Sequence, residues 1–171
     1  MTAKSSGSPA DVIYTDLENE LNLTRRMLER FPSGHNDWRP HERSRTLVAL
    51  AGHVAELPGL GSAIVGNDMF DFAAHKPVPK VYNTAADLLT VFDERVKALR
   101  PALAAADSAA LATSFTLRAG DRVILTRPRG EAVRHMVINH IIHHRAQLGV
   151  YYRMLGVPLP ACYGPSADEL D

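Results

Sequence analysis

Residues 139–147 read NHIIHHRAQ, with three histidines in five residues. At 100° per residue, Val133, Val137, His140, His144, Leu148, Tyr151 and Leu155 fall within one arc of about 80°. His140 and His144 therefore interrupt the core stripe of a long helix, one turn and about 6 Å apart along its axis. His143 lies at the edge of the arc, and His135 points to nearly the opposite side. Burying two imidazoles is unfavourable unless each finds a partner. Hydrogen-bonded packing is one solution. A shared metal ion is the other, because i, i+4 is the spacing at which one helix offers two ligands.

A second core stripe carries a further histidine. From about Arg45 to Val65, Leu50, His53, Leu57, Leu60 and Ile64 share one helical face. Two packed helices can bring His53 opposite the pair, and Gly52 beside it would allow another backbone to approach closely. Three imidazoles leave a coordination position open for a water or a thiol, the arrangement of catalytic rather than structural sites. Zinc, nickel, iron and copper all suit such ligands. Gln147, one turn beyond His143 and His144, reads either as an outer-shell donor or as polar packing. Arg145 reads as outward and solvated. His35, His41 and His75 fall in loops, and Cys162 in the tail is a reduced thiol with no evident base.

Two other helical patterns complete an expected all-α, four-helix bundle spanning 1–171 as one domain, with tails at 1–8 and 160–171. The first begins with Ser8 as cap and Pro9 at the first helical position, and stops at the PSG of 32–34. Ser44 reads as the cap of the second helix, and Pro58 should kink it. Thr84 and Asp87 stand at capping-box spacing before the third, which Pro101 kinks or ends. The FTLRAGDRVILT stretch reads as a small β-hairpin or irregular insertion before the last helix. Ile138, Ile142 and Gly149 lie opposite the histidine face. Either the 115–126 hairpin or a partner subunit must cover them, and a homodimer is the preferred expectation.

Composition bounds the function. The chain has 171 residues, formal net charge zero and one cysteine, which argues against a nucleic-acid footprint and excludes an internal disulfide. No apolar run suggests a membrane span and the first residues show no signal-peptide core, so a cytoplasmic location is expected.

HVAELPGLGSAI (53–64) and RHMVINHIIHHRAQLGVYYRMLGVPLPACYGPSADEL (134–170) resemble the DinB family of metal-binding four-helix bundles. The tryptophan loop before the second helix and the YGPSADE of the tail extend the likeness. The resemblance implies that His53, His140 and His144 bind a divalent metal ion such as zinc, nickel or iron. Ala146 stands where the family usually has glycine. Better understood relatives are metal-dependent enzymes that use low-molecular-weight thiols such as bacillithiol or mycothiol. The implied activity is thus transfer of such a thiol to a small-molecule electrophile, or metal-assisted hydrolysis. Phe70 and Phe72 would line the electrophile pocket, or simply belong to a surface loop. His143 and Gln147 would support the site. The competing reading is a non-catalytic metal- or ligand-binding stress protein, since no general base is evident beside the trio.

Overall fold

The structure, a computed structural model, describes residues 9–75 and 80–169. Ser8, the expected first cap, lies outside them. The chain is mostly helical. α1 spans Pro9–Glu29, α2 Leu47–Gly66 and α3 Ala85–Ala104. A short α4 (Ser108–Ala112) precedes the strands β2 (Ser114–Ala119) and β3 (Arg122–Pro128), which follow β1 (Met69–Asp71) in the sheet. The last helix begins as α5 (Arg129–Val133), passes through a π turn at Arg134–Ile138 and continues as α6 (Asn139–Met154).

Local chemistry sets most of these boundaries. Asp87 N–H donates to Thr84 Oγ1 at 3.2 Å and Thr84 N–H to Asp87 Oδ2 at 2.9 Å, the reciprocal bonds of a capping box. α2 is capped by Thr46, whose Oγ1 accepts from Ala49 N–H at 3.3 Å, and not by Ser44. Two further residues of loop separate Ser44 from the first helical turn. Both α2 and α3 run on past their internal prolines, Pro58 and Pro101.

Side-chain contacts give the helix directions. Gly52 abuts Tyr82 and Gly61 abuts Leu99, so α2 runs parallel to α3. Glu18–Arg100 and Arg25–Asp93 ion pairs run α1 antiparallel to α3. Tyr151 Oη donates to the Arg45 carbonyl at 3.3 Å, tying the end of α6 to the start of α2. The core between these helices includes Leu28, Leu50, Ile64, Leu88, Phe92 and Tyr152, all at most 1 % exposed. α2 is long and apolar enough to cross a bilayer by length and composition, contrary to the expectation for this chain. Half of that window is buried in the fold, so its apolarity serves the core.

The hairpin forms as expected, with β2 and β3 antiparallel and Gly120 at φ +60 in its turn. A third strand was not expected: β1 pairs parallel to β2. Asp71 fixes it there. Its carboxylate accepts from Ala73 N–H and Gly120 N–H, each at 2.9 Å, and from Arg118 Nε at 3.0 Å.

The last helix departs from uniform 100° periodicity. The π turn widens one turn just ahead of His140, so Val137 and Ile138 are both buried, at 0 % and 1 % exposure. Ile138 and Gly149 are thereby covered within the chain, with Met27 of α1 beside Gly149. Neither requires a partner subunit. Arg145 is also corrected: it is 3 % exposed, not solvated. It pairs with Glu20 Oε2 at 2.6 Å and donates to the Glu20 carbonyl and Thr24 Oγ1 at 3.1 and 3.3 Å. A buried guanidinium is tolerated because acceptors surround it.

Candidate metal centre

His53 projects from α2 toward His140 and His144 of α6. His140 Nε2 lies 3.3 Å from His53 Nε2 and 2.9 Å from His144 Nε2. The three ligand atoms all fall within 4.8 Å of one another. Two nitrogens bound tetrahedrally at zinc–nitrogen distances of about 2.0–2.1 Å stand about 3.3 Å apart. The observed spacing therefore fits a shared first-row divalent ion. A proton on one nitrogen can bridge a pair, but three converging lone pairs call for a cation between them.

The protonation states suit this role. Gln147 Oε1 accepts from His144 Nδ1 at 2.7 Å, which leaves the His144 Nε2 lone pair aimed at its partners. His140 Nδ1 is buried without a hydrogen-bond partner. Burial, then the fields of His144, Arg45 and His140, push the His53 pKa down to about 4. Burial likewise lowers His140, with His144 adding to the effect. Burial lowers His144, opposed in part by its bond to Gln147. All three imidazoles are thus neutral near pH 7, the form that binds metal.

The other candidates divide. Gln147 joins the cluster. His143 is exposed, its ring 4.8 Å from that of His144 but outside the ligand group. Phe70 and Phe72 pack against each other at 5.3 Å, and His75 stacks on Phe70 at 4.7 Å. They lie past the far end of α2, about 20 Å along its axis from His53 at 1.5 Å per residue, so they do not line the histidine cluster. His35, His41 and His135 are exposed, as their sequence positions suggest. Cys162 is a free, half-buried thiol.

Three features escaped the sequence reading. Tyr163 Oη donates to Glu20 Oε2 at 2.8 Å and accepts from Arg145 at 2.7 Å, so the tail joins the buried ion pair one residue from His144. Gly52 does make room, but for a side chain: a Cβ there would stand 2.5 Å from Tyr82 Cε2. Arg45 acts electrostatically on all three site histidines. No spacing rule links residues so distant in sequence.

The DinB family model matches residues 2–171. The chain belongs to the DinB family. Two crystal structures of DinB-like proteins share its fold. One, from Bacillus cereus ATCC 10987, is 20% identical with a TM-score of 0.69, covering 90% of this chain and 97% of that one. The other, from Bacillus subtilis, is 18% identical with a TM-score of 0.66, covering 88% of this chain and 96% of that one. No match was found among curated proteins. DinB membership accounts for the helical architecture, and the three histidines of this DinB protein can hold a metal ion.

Proposed function

We propose that this DinB protein, a four-helix bundle of the family type, binds one divalent metal ion through His53, His140 and His144. We further propose that it transfers a low-molecular-weight thiol to an electrophilic small molecule. The convergence of three neutral Nε2 atoms from two helices carries this reading. A divalent ion held there would supply Lewis acidity that favours the thiolate over the thiol near neutral pH. In the transfer, the sulfur lone pair forms the new carbon–sulfur bond, the thiol proton passes to solvent, and the leaving group departs with its bonding pair. The chain's own contribution is positional. Gln147 holds His144 in one tautomer. The three rings are half-buried, anchored on the core side yet open to an entering ligand. Metal-assisted hydrolysis would use the same open position.

Cobalt-substituted protein tests the proposal: adding a thiol should produce an intense sulfur-to-metal charge-transfer band. No band with cysteine, glutathione, bacillithiol or mycothiol, together with no metal-dependent thiol consumption, would leave the non-catalytic reading. That alternative, a metal- or ligand-binding stress protein, is favoured by one observation. Glu56, one turn from His53, is committed to Tyr82 Oη at 2.8 Å and Lys80 at 3.4 Å and is not free to act as a base.

A cytoplasmic homodimer belongs to the same reading. Its surface would centre on Ile142, Ala146, Val150 and Met154, which recur every four residues along α6. Val150 and Met154 are 59% and 60% exposed. An apolar stripe on a helix whose other faces are already packed supports a second copy of the chain as its cover.

A further inference from the structure

His144 and Arg145 are consecutive on α6 and so project about 100° apart. The His144 ring stands 4.8 Å from that of His53 on α2. Arg145 turns to α1, where Glu20 Oε2 lies 2.6 Å from its guanidinium. Together the two residues fix the rotational setting of α6 against both neighbours. One partner of Arg145 comes from neither helix. Tyr163 Oη accepts from it at 2.7 Å and donates to Glu20 Oε2 at 2.8 Å, and the guanidinium carbon lies 5.3 Å from the centre of the Tyr163 ring. Tyr163 is 69% exposed, whereas Glu20 and Arg145 are 7% and 3% exposed. Its phenol therefore closes off the buried pair on the solvent side. Without the hydroxyl, both charged groups lose a partner, which is the condition that makes a buried pair costly.

The polar contacts that hold Tyr163 in place lie at the surface. Residues 159–169 fold back over α1 and α6 as a strap stitched by two carboxylates. Glu169 accepts from Ala161 N–H at 2.9 Å and from Arg26 of α1 at 3.0 and 3.2 Å. Asp168 accepts from Leu159 N–H at 2.9 Å and from Arg153 of α6 at 2.6 and 3.1 Å. Exposed ion pairs of this kind each contribute little. The strap also does not pack flush on α1: a cavity of about 390 Å³ lies between them, bounded by Leu23, Arg26, Cys162 and Tyr163 among others. A segment held in this way can leave without unfolding the bundle.

We propose that this strap is coupled to the metal site: docking of residues 159–169 and occupancy of His53, His140 and His144 favour one another, with Tyr163 the positioning residue that links them through Arg145. The metal part rests on the function proposed above. An ion fixes the direction of His144, and the helix carries that setting to Arg145, one residue on. An Arg145 already in place presents its donor to Tyr163, which favours docking. Coupling of this kind is reciprocal: the docked strap raises metal affinity by the factor by which metal strengthens docking.

The test uses full-length protein, zinc and two readouts. The Leu159 and Ala161 amides donate to the strap's own carboxylates, so their hydrogen exchange reports docking. Competition with a chromogenic chelator reports zinc affinity. In the wild type, saturating zinc should slow exchange at both amides about fivefold or more, the lower end of typical coupling. Tyr163→Phe should abolish most of that slowing and weaken zinc binding by a comparable factor. Arg26→Gln loosens the strap at Glu169 without touching Arg145, and should weaken zinc binding as well. A merely structural Tyr163 would instead give a lower melting temperature with zinc affinity unchanged. Unchanged zinc affinity in both variants, or exchange at Leu159 and Ala161 that is indifferent to zinc in the wild type, overturns the coupling. A wild type that takes up no zinc overturns the metal reading and the coupling with it, an outcome distinct from zinc that binds without affecting the strap.

Discussion

Gln147 Oε1 accepts from His144 Nδ1 at 2.7 Å, across a single turn of α6. This bond selects the tautomer that presents Nε2 to the other two histidines. Gln147→Leu should therefore lower metal affinity about 10- to 100-fold, the usual consequence of removing an outer-shell partner. Thermal stability of the metal-free protein should hardly change, because Gln147 is only half-buried. Competition with a chromogenic chelator measures the affinity; an unchanged value would show that the bond does not orient the ring.

His53→Gln, His140→Gln and His144→Gln should each lose most of the bound metal, while His143→Gln and His135→Gln should keep it. Elemental analysis of protein purified without an affinity tag distinguishes the two groups. At a hundredfold excess of metal over the dissociation constant, binding should stabilise the wild type by about 2.7 kcal/mol. That increment should be absent from the three ligand variants.

The metal-free protein should lose stability as pH falls from about 6.5 toward 4. The unfolded His53 titrates near 6.5, whereas burial holds the folded one down to about 4. Between these values the unfolded chain binds more protons, so stability is intact above the window and declines through it. The lowered values of His140 and His144 act in the same direction. Denaturant melts at several pH values, compared with metal-free His53→Gln, should show a shallower slope in the variant. Metal uptake should fall over the same range, because protons compete for the same nitrogens.

The Glu20–Arg145 pair should behave as a unit. Removing one member leaves a buried charge unmatched, so Arg145→Met or Glu20→Leu should each cost about 3–5 kcal/mol. The double variant should recover a large share of that loss, as apolar side chains replace both charges. Urea denaturation of the four proteins in the cycle reads the coupling. Simple additivity would mean the pair is not energetically linked.

Val150→Glu places a charge in the exposed apolar stripe of α6. If that stripe is the homodimer surface, the variant should elute as a monomer and the wild type as a dimer. A wild-type monomer, or a variant that remains dimeric, removes this surface from consideration.

Helix positions and the histidine trio were legible in the sequence because both rest on short-range periodicity. His53, His140 and His144 each replace an apolar residue in a stripe whose phase is fixed by leucines or valines on either side. The capping box at Thr84 is legible for the same reason: both its bonds span three residues. Arg145 failed because its partners Glu20 and Tyr163 lie 125 and 18 residues away. A single arginine on a helix reads as solvated until packing supplies its acceptors. β1 failed because three residues cannot show alternation, and a side-chain carboxylate holds the strand in place.

The π turn at Arg134–Ile138 makes the histidine site a matter of counting as well as of residue identity. Upstream, α5 is moored by Arg129 to Asp68 and by Gly130 against Ile13 and Leu111. Downstream, α6 must aim His140 and His144 at α2 and Arg145 at α1. The wide turn works as a phase adjuster between these two obligations. Winding all five of its residues into uniform α form would remove the extra width that absorbs one of them. Everything beyond would then rotate by about 100° and advance by about 1.5 Å relative to α5. The two ligands and the buried arginine would lose their targets together, although every one of those residues would still be present.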